Sequence, residues 1–154
     1  MQQVVKTPAI LECAGTADRR DELVEMGEML DACQKSLSEY LDSKRNAFPR
    51  FFFISDDELL AVLGSSDPRG IVQYLMQLYN NVKKLAFSGD AKQVHGMSSS
   101  EGESFDFHRN TTVEGPVEQW MTQTDLDMKY SLHQIAKEGV FYYARKERID
   151  WVKD

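Results

Sequence analysis

Lys44-Arg45-Asn46-Ala47-Phe48-Pro49-Arg50-Phe51-Phe52-Phe53-Ile54-Ser55-Asp56-Asp57-Glu58-Leu59-Leu60 decides the fold of this chain. A helix with a basic end runs into Phe48-Pro49, three aromatics follow, and a new helix starts behind a capping signal. Pro49 has no backbone N–H and disfavours helical geometry at Phe48, so the helix before it stops here. Phe51, Phe52 and Phe53 cannot all share one face of a regular element, so at least one is expected inside a junction between packed units. Ser55 and Glu58, spaced three apart, form a capping box ahead of Leu59-Leu60-Ala61-Val62-Leu63, and Gly64 supplies the stop.

Upstream, Leu23, Met26, Leu30, Cys33, Leu37 and Tyr40–Leu41 recur at alternating spacings of three and four. The spacing predicts a long amphipathic helix over about 21–45, packed along one seam as part of a bundle. Gly27 weakens it by about 1 kcal/mol against Ala without ending it. Residues 1–20 show no such pattern and are expected to be weakly structured.

Downstream, Asp67-Pro68 gives an N-cap with proline at the first helical position, so a short helix is expected over about 68–80 after one at 56–63. The pattern then changes. Residues 84–87, 93–97 and 104–107 look like three short strands joined by Ser88-Gly89-Asp90 and Ser100-Glu101-Gly102-Glu103. From Pro116 the helical period returns through Val117, Trp120, Thr124, Met128, Ser131–Leu132 and Ile135, predicting a helix over 116–143 that Gly139 loosens. The expected fold is mainly α, a helical-bundle segment carrying a small antiparallel β-meander. Trp151 has no local element left to bury it. It and Trp120 are the candidate docking residues.

Composition narrows the function. The chain has 154 residues and a net charge of −7, which argues against a nucleic-acid or acidic-membrane binder. The basic cluster Arg145-Lys146-Glu147-Arg148 reads as cations complementing a helix end. No run of about 18 apolar residues suggests a membrane span, and Met1-Gln2-Gln3-Val4-Val5-Lys6 lacks a signal-peptide pattern. Cys13 and Cys33 are far apart, and Cys33 falls on the apolar stripe, where a reduced thiol acts as a small hydrophobe. His95, His108 and His133 share no metal-ligand spacing. Gly64-Ser65-Ser66-Asp67-Pro68-Arg69-Gly70 is not a phosphate loop, because no Lys-Ser/Thr follows. Ser98-Ser99-Ser100 has no nucleophile-elbow pattern, and Asp56-Asp57-Glu58 serve a helix start. No catalytic, cofactor or metal residue is assigned.

With these residues in place, a family resemblance can be stated. Leu30-Asp31-Ala32-Cys33-Gln34-Lys35-Ser36-Leu37-Ser38-Glu39-Tyr40-Leu41, followed by Lys44 to Phe53, resembles the linker region of dynein heavy chains. So do Asp57-Glu58-Leu59-Leu60, Ser100-Glu101-Gly102-Glu103 with Phe105 and Phe107, and Val117-Glu118-Gln119-Trp120-Met121. The likeness runs in order from about Leu30 to Trp151 and is closer to axonemal than to cytoplasmic chains. Ser65-Ser66-Asp67-Pro68 and Arg148-Ile149-Asp150-Trp151 are similar to inner-arm types.

The resemblance implies a helical rod arching over a ring of AAA+ modules, bending and straightening as the ring binds and hydrolyses ATP. It implies the C-terminal part of that rod, with ATP and magnesium held in modules beyond it and no cofactor in this chain. The implied partners are the rest of the heavy chain with its AAA+ ring, other dynein subunits and, indirectly, the microtubule. The implied location is the axoneme of a cilium or flagellum, within the cytoplasm and cytoskeleton. Phe48-Pro49 and the Gly64–Pro68 turn are then expected to be rigid corners; Phe48, Pro49, Phe51, Phe52 and Phe53 form the structural corner, in which Phe51, Phe52 and Phe53 clamp the long helix to the two short ones. The competing reading is a stand-alone helical module that binds a partner helix or peptide through Trp120, Trp151 and the aromatic strands.

Overall fold

The computed structural model describes residues 18–151 without interruption, together with Val5, Lys6, Pro8, Ala9, Leu11 and Gly15. Cys13 and most of the segment 1–20 lie outside the described residues. Helix α1 spans Arg19–Ala47 and is followed by a 3-10 turn at Pro49–Phe53 and by α2 at Asp56–Gly64. A second 3-10 stretch, Pro68–Tyr74, leads into the single-turn α3 at Leu75–Leu78. Strands β1 (Val82–Phe87), β2 (Gln93–Ser99) and β3 (Ser104–Thr112) precede the long α4 (Val117–Tyr143) and the short α5 (Arg148–Trp151). The architecture is mainly α with one antiparallel sheet, its strands in the order β1-β2-β3.

The chain divides into two compact units, Met1–Asp42 and Ser43–Asp154, and the division falls inside α1. In the first unit, α1 carries the sequence stripe in the expected helical form, yet Leu23, Met26, Leu30, Leu37 and Tyr40 are exposed and so is Cys33. Of the helix, only Leu41 is buried. The expected packed seam is therefore absent along most of α1 among the described residues. Periodicity marks the face a helix can bury; it does not supply the surface that covers it.

The second unit has a true core. Phe51, Leu59, Ile71, Leu75, Leu78, Val94 and Met121 are its fully buried large side chains. The stretch expected as one helix over 68–80 is instead mostly 3-10, because Pro68 and Gly70 favour a tight start over a regular α turn. Its exit is set by Asn81, which takes φ 67°, a left-handed conformation that asparagine tolerates better than most residues. The strands run longer than their apolar cores suggested.

The meander has register shifts in three places, the widest of them between β2 and β3. Val94 pairs with Thr111 and Gly96 with Asp106, so a single residue of β2 faces four of β3. A Cβ at Gly96 would lie 2.6 Å from the Phe105 carbonyl oxygen, so only glycine allows the strands this close. The bulged segment leans on α4 through a polar seam. The His108 N–H donates to Ser131 Oγ at 2.9 Å, and Thr111 Oγ1 donates to Asp127 Oδ2 at 2.8 Å. Gln123 Nε2 completes the carboxylate at 3.1 Å. Thr124 and Ser131 return their hydroxyls to α4's own carbonyls, at Trp120 and Asp127. The buried face of α4 is thus Glu118, Trp120, Met121, Thr124, Asp127 and Ser131, while Leu132 and Ile135 face outward.

Candidate functional site

The site is the corner at Phe48–Asp56, which lies wholly within the second unit together with the last residues of α1, 43–47. Phe48 is extended (φ −134°, ψ 92°), as a residue before proline should be, and Pro49 opens the 3-10 turn. The Phe48 N–H still donates to the Lys44 carbonyl at 3.0 Å, so the helix hands over directly to the turn. The Phe51 N–H then donates to the Phe48 carbonyl at 3.0 Å. Phe48 and Phe51 are both buried, their rings edge-on at 4.9 Å.

Phe52 and Phe53 behave differently. They are 60% and 68% exposed, because a three-residue turn points successive side chains in different directions and only one can enter the core. Of the three expected clamp residues only Phe51 enters the core, where it packs on Phe48. Phe53 instead borders an open groove of about 630 Å³ beside α4, with Pro49, Leu126 and Lys129 among its walls.

Charges bind the corner from three sides. Arg45 Nη2 donates to Asp56 Oδ1 at 2.7 Å and to the Ile54 carbonyl at 3.3 Å, bridging the end of α1 to the cap of α2. Lys44 Nζ meets Glu118 Oε1 at 2.7 Å, joining α1 to the first turn of α4 with Glu118 buried. Arg50 Nε donates to Asp125 Oδ1 at 3.1 Å, and its Nη1 donates to the Leu78 carbonyl at 3.0 Å. The Arg50 guanidinium also lies over the Tyr79 ring, 4.2 Å from its centre. Burial and the Asp125 charge push the Tyr79 hydroxyl above the usual phenol range, with Arg50 opposing, so it stays neutral.

At the cap of α2, Ser55 and Glu58 satisfy each other's backbone N–H groups, at 3.3 and 2.8 Å. These hydrogen bonds from Ser55, with a smaller one from Gln77, hold the Glu58 carboxyl below the ordinary range. The capping box is thus present as the sequence indicated.

The two candidate docking tryptophans, Trp120 and Trp151, both pack against other rings. Trp120 is 5% exposed, and its ring meets Phe87 edge-on at 6.4 Å. Trp151 folds back onto α4: its indole N–H donates to the Gly139 carbonyl at 2.7 Å and its ring packs edge-on against Tyr143. Gly139 does not interrupt α4, which runs on to Tyr143. Arg145 and Lys146 lie over Phe141 and Tyr142. What sequence reading missed is the set of corner cations and the polar seam with Asp127. Lys44, Arg45 and Arg50 were legible only as a basic run, and nothing marked their carboxylate partners 74 and 75 residues away for Lys44 and Arg50.

Among the described residues no cluster of His, Cys, Asp and Glu could hold a metal ion, and no helix is long and apolar enough to cross a membrane.

Comparison with known proteins agrees on the family. The family described as dynein heavy chain, N-terminal region 2 matches residues 1–139. The chain is 46% identical over its whole length to the Dynein-1-alpha heavy chain of the flagellar inner arm I1 complex of Chlamydomonas reinhardtii. It is also 46% identical, over 99% of its length, to human Dynein axonemal heavy chain 10. Mouse Cytoplasmic dynein 2 heavy chain 1 is 37% identical over 91% of the chain. The chain spans only 3% to 4% of the length of these relatives. The matched region is an N-terminal one in the heavy chain, which replaces the C-terminal placement implied by the resemblance. Its match over most of its length, together with these identities, makes this chain a member of the dynein heavy chain family, from the N-terminal region of such chains.

Proposed function

We propose that the chain is a mechanical element of a microtubule motor, a segment of the linker that carries motion between the ATP-driven AAA+ ring and the rest of the machine. The observation that carries this reading is the corner. A buried aromatic pair and three cations tie the end of α1, the 3-10 turn, α2 and α4 into one packed junction, and close-packed junctions have low compressibility. A lever needs such junctions, because a strut that yields at every joint dissipates the displacement it should pass on.

In this reading ATP and magnesium are bound and turned over in ring modules outside this chain, and the chain itself is not a catalyst. Its partners are the remainder of the heavy chain, other dynein subunits and, indirectly, the microtubule. Neither nucleic acid nor a membrane is a partner. The names of the flagellar and axonemal relatives support a place in the ciliary or flagellar axoneme. The exposed apolar side chains of α1 fit a strut covered by other parts of the heavy chain.

Energy transfer tests this. A fluorophore on the exposed β1–β2 turn at Gly89, paired with one on the ring of the full heavy chain, should change its transfer efficiency between the nucleotide-free and ATP-vanadate states. An efficiency that stays constant through the cycle would remove the lever role.

A further inference from the structure

We propose that Arg50 is the positioning residue of the corner, and that its planar donor fork, more than its charge, sets the attitude of the 3-10 turn against α4. The proposal rests on the lever reading above.

Arg50 carries the only polar side chain in Pro49–Phe53. The turn has little to orient it by itself. A 3-10 turn has poorer hydrogen-bond geometry than an α turn, and its last bond, from the Ile54 N–H to the Phe51 carbonyl, is long at 3.4 Å. The buried Phe51 ring fixes its depth, and Arg45 of α1 donates to the Phe51 and Ile54 carbonyls.

Arg50 ties the turn to α4 and to the end of α3 by gripping three surfaces at once. Nε holds Asp125 on α4, Nη1 holds the Leu78 carbonyl at the C-terminal end of α3, and the guanidinium plane covers the ring of Tyr79 just beyond. The Leu78 carbonyl belongs to a helix end, where carbonyls lack intrahelical partners, so the bond also satisfies a group that needs one. Lysine offers a compact point charge and can reproduce one of these contacts, not two divergent donors and a stacked plane.

The charge itself is backed up. Lys129 Nζ lies 2.6 Å from Asp125 Oδ2, one turn along the same helix. Asp125 therefore stays paired when Arg50 is replaced, and what is lost is geometry.

The test uses the full heavy chain with its subunits and compares Arg50→Lys, Arg50→Gln and Val94→Ala. Val94 is a buried β2 residue, so its variant serves as a control for lost stability. Melting temperature, ATP turnover, microtubule gliding velocity and the energy-transfer swing are read for each. Both Arg50 variants should slow gliding by about two- to tenfold, the scale of one or two lost hydrogen bonds, with ATP turnover unchanged. Lysine should do no better than glutamine. The Val94 variant should melt lower yet glide at the parental velocity. Parental gliding by Arg50→Lys would overturn the proposal, as would equal slowing by Val94→Ala at equal melting loss. A parent protein with no energy-transfer swing would instead defeat the lever reading, and this proposal with it.

Discussion

Replacing Phe51 with alanine should cost this chain more stability than any other change in the phenylalanine triplet. Phe51 is fully buried and packs edge-on with Phe48 at 4.9 Å. Removing a buried phenyl ring loses its transfer free energy and leaves a cavity, together about 3–5 kcal/mol. The ring pair contributes within that figure, because edge-to-face contacts are worth about 0.5–1.5 kcal/mol beyond area. For a chain of this size each kcal/mol shifts the midpoint by about 2–4 °C, so Phe51→Ala should melt roughly 6–20 °C lower. Phe52→Ala and Phe53→Ala remove side chains that are mostly in solvent and should stay within about 0.5 kcal/mol of the parent. Thermal melts followed by near-ultraviolet circular dichroism, which reports aromatic packing, compare the three directly. A Phe51 variant melting with the parent, or a Phe53 variant falling as far, would show that the corner is not held by the buried ring.

Other parts of the fold give separate tests. Gly96→Ala should destabilise by about 1–3 kcal/mol in urea titration, because its Cβ would lie 2.6 Å from a carbonyl oxygen and backbone would have to move. Lys44→Met should cost about 3–5 kcal/mol by stranding the buried Glu118 carboxylate, whereas adding Glu118→Leu should recover most of it; a double variant no better than the single would contradict this. Ser55→Ala should cost about 0.5–2 kcal/mol through the lost cap of α2. Acid sensitivity follows from Glu58 and Asp90, whose folded carboxyls are held low by hydrogen bonds from Ser55 and from Ser88. Their contribution is complete above the ordinary carboxylate range and disappears as pH falls through their lowered values. The urea midpoint should therefore drop between neutral and acid pH, and Glu58→Gln should flatten that drop.

Local chemistry was readable from the chain because it acts over a few residues. Ser55 with Glu58, Pro49 with Phe48, and Pro68 with Asp67 each declared a boundary that the backbone then obeyed. The capping box could be named atom by atom, since both of its partners lie within one turn. Register was less legible. The four-residue bulge of β3 depends on how closely Gly96 and Phe105 approach, and on Ser131 and Asp127 of a helix that comes later. Period counting found Trp120, Thr124 and Ser131 on the buried face of α4, but it missed Glu118, Met121 and Asp127 and counted the exposed Leu132 and Ile135. It favours apolar positions, and here small and polar residues turn inward to meet β3.

By itself, then, the amino-acid order determined a mainly helical chain, a stop at Phe48-Pro49, a three-stranded insert and a dynein-like identity. The first three rest on spacing, capping and backbone sterics, all short-range, and the last on resemblance to a known family. Only the tertiary structure decided which phenylalanine enters the core, that Trp120 is interior while Trp151 folds back on α4, and that three cations find carboxylates on other elements. Burial and ion pairing depend on which surfaces meet across dozens of residues, and sequence separation carries almost no information about that distance.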